Sequence, residues 1–184
     1  MLTGSHAGLG TFVDFDRHLF DRIDGRDPRW ESPRYMLEML CRYRQVGSGN
    51  WQVLQRTPTR CGAPVASAPI RTTLGRTVST PAAGAQSIVA VRVVSWSRSL
   101  GERLRTLLYK DDQYYVTYAN GPTSRFVPGD AGSWHAVAVP SCLGWDPSAF
   151  PRTGSSFRFD LGQPPLPGAK PITAQFAAIP FACP

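Results

Sequence analysis

The side chains best suited to chemistry in this chain are aromatic, and they gather in and beside its strand-rich middle. Trp and Tyr rings lie there next to Arg, Asp and Asn in the sequence. A sugar packs its C–H groups against an aromatic plane, while its hydroxyls need polar or charged neighbours. The pattern predicts a glycan-binding surface with the candidate residues Trp96, Tyr118, Trp134, Trp145 and Asp146. Strand packing is the alternative role for each ring, because strands are enriched in aromatic residues.

Bond-breaking chemistry has little support. Nucleophilic hydrolysis needs a nucleophile, a base and an orienting group, and Ser133 beside His135 lacks a Gly-x-Ser-x-Gly motif. Carboxylates that could pair for glycoside hydrolysis all lie next to turn residues: Asp111, Asp112, Asp130, Asp146 and Asp160. Asp in turns usually hydrogen-bonds its own backbone, so we predict no catalytic residue. The same oxygens are the alternative ligands of a structural Ca²⁺, although no dense Asp/Asn loop is present. No other cofactor is expected.

Four cysteines allow three ways of forming two disulfides. No Cys-x-x-Cys occurs and the histidines lack metal-ligand spacing, so we expect no zinc site. We predict Cys41–Cys61 and Cys142–Cys183, because each pair flanks a compact sub-region. The alternative is four reduced, buried thiols. Disulfides would place the chain in an oxidising compartment outside the cytoplasm.

The net charge of +7 does not indicate nucleic-acid binding. Only Lys110 and Lys170 among the 20 basic residues are lysines, and the arginines are scattered, whereas nucleic-acid sites form a basic stripe or patch. Anionic lipid headgroups or acidic cell-wall polymers explain the charge equally well. Residues 1–10 do not resemble a signal peptide, and no apolar run reaches the roughly 20 residues of a membrane span. We therefore expect a fragment of a larger exported chain.

The elements that must position the aromatic residues are β-strands. Short alternating segments at 88–94, 103–109, 114–118, 125–127 and 134–139 are separated by turn residues, and 17 Gly and 17 Pro favour β architecture. Further strands are predicted at 70–74, 156–161 and 172–179. The pattern indicates an antiparallel β-sandwich, jelly-roll-like, over residues 59–184.

Residues 1–58 predict a small α/β unit in front of the sandwich. Thr11–Phe15 alternates as a short strand, and Ser32-Pro33 is a good helix start with Ser as the N-cap. Met36, Met39, Leu40 and Tyr43 then give the helix one apolar face. A hairpin from Val46 to Arg56 completes the unit.

Short motifs in this order resemble a known family. They are Gly4, Ile23-Asp24-x-Arg26-x-Pro28, Glu31-x-Pro33, Leu40-Cys41-x-Tyr43-x-x-Val46, Trp51-x-Val53-Leu54-x-Arg56, Leu104-Arg105-x-Leu107-Leu108-Tyr109 and Arg125-Phe126-Val127-Pro128-Gly129. Together they resemble the extracytoplasmic C-terminal region of actinobacterial multi-pass membrane proteins of the glycosyltransferase type. The resemblance implies a parent that transfers sugars from a polyprenyl-linked donor, with its catalytic carboxylate in a membrane-proximal loop outside this chain.

We therefore expect a non-catalytic domain that holds a cell-envelope polysaccharide or glycolipid near the parent's active site, on the extracytoplasmic face of the membrane. The first alternative is a protein-interaction or structural module without glycan affinity. The second is a free-standing enzyme that acts on envelope polymers. Solvent exposure of Trp96, Trp134 or Trp145 beside polar side chains distinguishes the glycan hypothesis from the first alternative.

Overall fold

A computed structural model describes residues 12–16, 30, 32–47, 51–82, 84–96, 114–118, 123–143, 156–161 and 170–183. These residues are mainly β, with antiparallel sheets and one helix, as the sequence predicts. Helix α1 spans Pro33–Arg42. The strands are β1 (Phe12–Asp16), β2 (Tyr43–Gly47), β3 (Trp51–Arg56), β4 (Val65–Ala66), β5 (Ile70–Thr73), β6 (Thr77–Ser79), β7 (Ser87–Trp96), β8 (Tyr114–Tyr118), β9 (Thr123–Phe126), β10 (His135–Ala138), β11 (Ser156–Leu161) and β12 (Pro171–Pro180).

The described strands form three antiparallel sheets. The small sheet has the order β1-β3-β2, and the second sheet has the order β6-β11-β8-β9. The central sheet has the order β10-β7-β12-β4, and β5 also pairs with β12. Strands β4 and β5 pair with successive parts of β12, so together they make one interrupted edge strand. The long pair β7–β12 is the backbone of the central sheet.

Alternation along β7 gives the central sheet two buried faces. Val89, Val91 and Val93 face the second sheet, and Ile88 and Ala90 face α1. Both sets are apolar and largely β-branched, which suits a strand covered on both sides. The central sheet is therefore the layer to which the other elements attach.

The first buried cluster, which we call the inter-sheet cluster, lies between the central and second sheets. It draws on β6, β7, β8, β9, β10 and β12, and Tyr114, Val116 and Tyr118 supply the β8 contribution. Tyr115 and Thr117 lie on the other, half-exposed face of β8, so the predicted alternation is confirmed. Trp30 is fully buried in the same cluster, with its indole stacked on His135 at a centroid distance of 4.7 Å.

The second buried cluster, which we call the helix-side cluster, lies under α1. Met36, Met39 and Leu40 of the helix are buried there together with Leu54 of β3. Burying side chains of this size stabilises the fold by about 2 kcal/mol each. Ser32 occupies the predicted N-cap position and Pro33 the first helical position, although the Ser32 side chain makes no capping hydrogen bond.

The predicted helix extends one residue too far. Tyr43 was expected on the apolar helix face, but its backbone is extended and it begins β2, three residues before the predicted hairpin start. The reason lies in the segment that follows β3. The amide of Thr57 donates to the Arg42 carbonyl, and the Arg60 side chain donates to the Leu40 and Tyr43 carbonyls. These long-range donors satisfy the Leu40 and Arg42 carbonyls of the last helical turn and the Tyr43 carbonyl just after it, so the helix ends there.

Two short strands, β4 and β6, were not predicted. Both have too few residues to show alternation, and each is fixed by a long-range partner, β12 for β4 and β11 for β6. Gly75, at φ 78°, makes the turn by which the chain passes from β5 in the central sheet to β6 in the second sheet. The predicted strand at 103–109 lies outside the described residues.

The predicted division at residue 58 stays a prediction, and the packing crosses it. The helix-side cluster joins α1 and Leu54 to Ile88, Ala136 and Ile179. Trp30, from the predicted α/β unit, is likewise buried between the two larger sheets. Residues on the two sides of position 58 thus share both clusters.

Two disulfides close the described fold. Cys41 bonds to Cys61 and Cys142 to Cys183, which is the connectivity expected from the sequence, and no described cysteine is free. Two disulfides point to an oxidising, extracytoplasmic environment. Among the described helical residues, none form a helix long and apolar enough to cross a membrane.

Candidate functional site

The candidate site is built on Trp134, which lies directly before β10. Its side chain is half-buried and packs against the margin of the helix-side cluster. The guanidinium carbon of Arg92, on β7, lies 4.4 Å from the Trp134 ring centroid. At this distance the cation is attracted to the ring face. Trp134 and Arg92 therefore form one unit, in which the guanidinium covers part of the aromatic plane.

Gln175 of β12 holds the Arg92 guanidinium in place. Its Oε1 accepts hydrogen bonds from Nε of Arg92 at 3.0 Å and from Nη2 at 2.7 Å. Its Nε2 donates to the Ser67 carbonyl at 2.8 Å, and the Ser67 amide donates to the Phe176 carbonyl. This chain of hydrogen bonds runs from Ser67 at the sheet edge through Gln175 to Arg92, and it fixes the orientation of the guanidinium. Both hydrogen-bonding ends of Gln175 are thereby occupied.

Strand register explains why these residues meet. Arg92 is directly opposite Gln175, and the neighbouring pair is Val91 opposite Phe176. Paired residues share a face and successive residues alternate, so Arg92 and Gln175 lie on the α1 side of the central sheet. His135 pairs with Val91, which places the preceding Trp134 beside Arg92 on that side. The three side chains form a row across β10, β7 and β12.

A second row lies next to the first. Thr173 is paired with Ser95 of β7 and with Arg71 of β5, and it shares a face with Gln175 two residues along. Ser95 and Arg71 are exposed and Thr173 is half-buried. We call the two rows the open face, defined by Trp134, Arg92, Gln175, Ser95, Thr173 and Arg71. It continues the sheet surface that α1 covers.

The open face is positively charged. The described strands of the central sheet contain no Asp or Glu, and their Lys and Arg residues are Arg71 and Arg92 alone. Arg92 makes no ion pair with a described carboxylate, and its Nη1 has no hydrogen-bond partner among the described residues. The face therefore presents hydrogen-bond donors next to an aromatic ring.

Tyr118 is not on this face. It is 2% exposed in the inter-sheet cluster, and its hydroxyl accepts a hydrogen bond from Trp30 Nε1 at 3.2 Å. The Trp30 and Tyr118 ring centroids are 6.5 Å apart. Tyr118 thus has the alternative role of core packing, and its depth separates it from any surface that could receive a sugar.

The remaining predicted ligand residues are placed only in part. The backbone of Trp96 ends β7, opposite Ile172, but its side chain lies outside the described residues. Trp145 and Asp146 also lie outside them. Trp134 is therefore the predicted ring that the structure sets beside polar side chains.

Ser133 and His135 do not form a surface pair. His135 is 1% exposed, its Nε2 is 3.0 Å from the Asp130 carbonyl oxygen, and its ring stacks on Trp30. The imidazole belongs to the interior of the inter-sheet cluster. Within the described ranges, no group of three or more His, Cys, Asp or Glu side chains could hold a metal ion.

A second arginine–aromatic pair lies beneath the end of α1. The Arg60 guanidinium carbon is 4.6 Å from the Phe181 ring centroid, and Nη2 donates to the Tyr43 carbonyl at 2.6 Å and to the Leu40 carbonyl at 3.2 Å. Burial, and to a smaller extent the positive charge of Arg44, lowers the pKa of Arg60. Its Nε and Nη1 are buried, so this arginine has no donor facing a ligand.

Sequence reasoning missed Arg92, Gln175 and Arg71. The alternation of β7 carries the signal for Arg92, since it is the one charged residue on the face opposite Val91 and Val93. Gln175 lies 83 residues away, and the register that joins it to Arg92 follows from the folded sheet. Arg71 reaches the face only because β5 pairs with β12.

No protein-family model matches the sequence, and searches of curated proteins and of solved structures found no significant match.

Proposed function

We propose that this chain is a non-catalytic, extracytoplasmic carbohydrate-binding domain and that the open face is its binding surface. The observation that carries the proposal is the Trp134–Arg92–Gln175 row, which remains half-exposed where α1 no longer covers the sheet. An aromatic ring with fixed polar donors beside it has the composition of a saccharide site. An open sheet surface also suits an extended polymer better than a closed pocket does.

The rigidity of the row supports binding. Gln175 and the Ser67 carbonyl fix the guanidinium, and packing against the helix-side cluster fixes the Trp134 ring. Side chains that are already ordered lose little conformational entropy when a ligand arrives. The fold that supports this surface is, in our proposal, a β-sandwich of the jelly-roll type, with the inter-sheet cluster as the core between its two layers.

We further propose that the domain belongs to a membrane-bound cell-envelope glycosyltransferase of the actinobacterial type that its motifs resemble. In that setting it positions a polysaccharide or glycolipid acceptor for the remainder of the parent, at the extracytoplasmic face of the cell membrane. The two disulfides and the absence of carboxylates from the open face support a binding role there.

Tryptophan fluorescence during saccharide titration tests the proposal. The panel contains arabinan, mannan and galactan oligomers and a uronic-acid oligomer. We expect a saturable change with at least one of them, because Trp134 is half-exposed at the site. Trp134→Phe should keep weakened binding and lose most of the signal, and Trp134→Ala should lose binding by about tenfold or more. Calorimetry of the same titrations separates loss of signal from loss of binding. An absence of binding across the whole panel would overturn the proposal.

Protein docking is the second candidate function. It is favoured by the outer edge of the central sheet, where Val65 is 66% exposed and Ile70 is 41% exposed. Among the described strands, β4 and β5 pair only with β12, so their outer edge can accept another strand. Hydrogen exchange distinguishes the two functions. Docking to the parent would protect the β4 and β5 amides in the full-length protein, whereas saccharide binding would protect the segment around Trp134.

A further inference from the structure

The open face offers more hydrogen-bond donors than acceptors, and this imbalance indicates which class of ligand it can bind. Gln175 supplies the face with an amide, but its Oε1 is occupied by Arg92 and its Nε2 by the Ser67 carbonyl. It therefore positions Arg92 and offers a ligand no acceptor, only the second N–H of Nε2. The other groups that can meet a ligand are the Nη1 of Arg92, the Arg71 guanidinium and the hydroxyls of Ser95 and Thr173.

This set is rich in donors and poor in acceptors. A neutral sugar hydroxyl is both a donor and an acceptor, and sites for neutral sugars commonly supply carboxylate or amide oxygens for the donor half. Among the described strands of the central sheet, none contains a side-chain carboxylate. A carboxylate or phosphate oxygen, by contrast, only accepts, and it matches a guanidinium in both geometry and charge.

The spacing of the two arginines fits one short saccharide. Arg92 and Arg71 lie on opposite sides of β12, facing Gln175 and Thr173 respectively. The Cα atoms of the two arginines are about 12 Å apart, because the residues lie two strands apart across the sheet and two residues apart along it. Long Arg side chains on such positions reach one disaccharide unit from both ends. Trp134, stacked on Arg92, lies at one end of this span.

We propose that the open face selects an acidic saccharide, one that carries a carboxylate or another anionic group on its sugar rings. This inference rests on the proposed carbohydrate-binding function and adds the ligand class. Arg92 and Arg71 bind the anionic groups, and the part of Trp134 that Arg92 leaves uncovered contacts the ring that follows. Gln175 is a positioning residue. A saccharide is favoured over an anionic lipid surface because the face combines an aromatic plane with a fixed guanidinium, whereas lipid headgroups are attracted by clustered, mobile lysines.

Isothermal titration of the intact chain tests the inference with an oligogalacturonate and a neutral galactan oligomer of the same length. We expect the acidic oligomer to bind at least about tenfold more tightly, and its affinity to fall as salt is raised. Arg71→Gln is the principal variant, since Arg71 is exposed and makes no hydrogen bond with a described side chain, so folding should be unaffected. It should weaken binding of the acidic oligomer by about fivefold to tenfold and binding of the neutral oligomer much less, because a neutral hydroxyl loses only a hydrogen bond and no charge attraction.

Arg125→Gln is the matched control for loss of one positive charge. Arg125 pairs with Tyr115 on the face of the second sheet turned away from the inter-sheet cluster, and its removal should leave both affinities unchanged. Equal binding of the two oligomers overturns the acidic-ligand inference and leaves the proposed function intact. Binding of neither oligomer, with no binding of arabinan or mannan, overturns both. Binding only to vesicles that contain phosphatidylglycerol also overturns the inference, because it shows that the positive charge of the open face binds an anionic lipid surface.

Discussion

Among the described residues, two arginine–aromatic pairs lie on the helix side of the central sheet, and their surroundings differ. Arg60 lies over Phe181 at 4.6 Å and Arg92 lies over Trp134 at 4.4 Å. Arg60 donates to backbone carbonyls at the end of α1, and its remaining nitrogens are buried. Arg92 donates to a side-chain amide and keeps Nη1 for solvent or a ligand. The same kind of pair thus caps the C-terminal end of a helix in one place and presents a hydrogen-bond donor in the other.

The comparison teaches that the acceptor, more than the ring, decides what a stacked arginine does. A guanidinium bound to the last carbonyls of a helix replaces caps that the chain itself would have to supply. A guanidinium bound to Gln175 is oriented without its charge being neutralised. Removal of the first should therefore affect stability, and removal of the second should affect binding.

The largest effects should come from the two disulfides, of which Cys41–Cys61 lies beside Arg60. The loop-entropy model gives about 3 kcal/mol for Cys41–Cys61, which closes 20 residues, and about 4 kcal/mol for Cys142–Cys183, which closes 41. Urea denaturation of the Cys41→Ala/Cys61→Ala and Cys142→Ala/Cys183→Ala variants measures these losses. Saccharide affinity of the folded Cys41/Cys61 variant should be unchanged. A marked loss of affinity there would show that the Arg60 region supports the open face, against the comparison.

Exchange of each arginine for Met sharpens the contrast. Arg60→Met removes two hydrogen bonds from a charged donor to backbone carbonyls, so it should lower the free energy of unfolding by about 2 kcal/mol. Arg92→Met should cost about 1 kcal/mol or less, because its contacts are with a half-exposed ring and one side chain. Affinity for the acidic oligomer should show the reverse order, unchanged in Arg60→Met and reduced in Arg92→Met. Equal loss of stability in the two variants would remove the distinction.

Much of the fold was predictable because its larger elements have strong local patterns. Strand β8 alternates, α1 begins at Ser32-Pro33, and β12 has a regular apolar face, so each was predicted close to its observed bounds. The disulfide pairs also follow from which cysteines flank compact segments. Local periodicity was therefore sufficient wherever an element is long enough to show it.

The features that were missed depend on contacts between distant residues. Trp30 lies in a segment that reads as polar and irregular, yet it is fully buried against Tyr118 and Phe126. Tyr43 continues the helical spacing, but donors from the 57–60 segment end the helix before it. At the site, Trp134 was predicted from its type, whereas Arg92 and Gln175 required the register of β7 on β12.

The smallest effect concerns alkaline pH, which acts on the helix region and not on the open face. Burial, followed by the neighbouring Tyr43, raises the pKa of Tyr35 above its ordinary value of 10.0. The folded state thus favours the neutral phenol. The resulting contribution is fully present below pH 10 and is lost as pH rises through the folded pKa. Tyr35 is 49% exposed, so solvent screens much of the effect.

Urea denaturation of the chain and of Tyr35→Phe at pH 8 and at pH values above 10 measures this contribution. The loss of stability on going to alkaline pH should be slightly smaller in Tyr35→Phe, because the variant has no phenol to ionise. Tyrosinate absorbance during a pH titration should show one late-ionising tyrosine fewer. The saccharide affinity of folded Tyr35→Phe should equal that of the unsubstituted chain at each pH, because Tyr35 lies on α1 and is not part of the open face. A different outcome would be that saccharide affinity falls at alkaline pH in the unsubstituted chain but not in Tyr35→Phe. That result would show that the helix region influences the open face, and it would contradict the functional separation of the two arginine pairs.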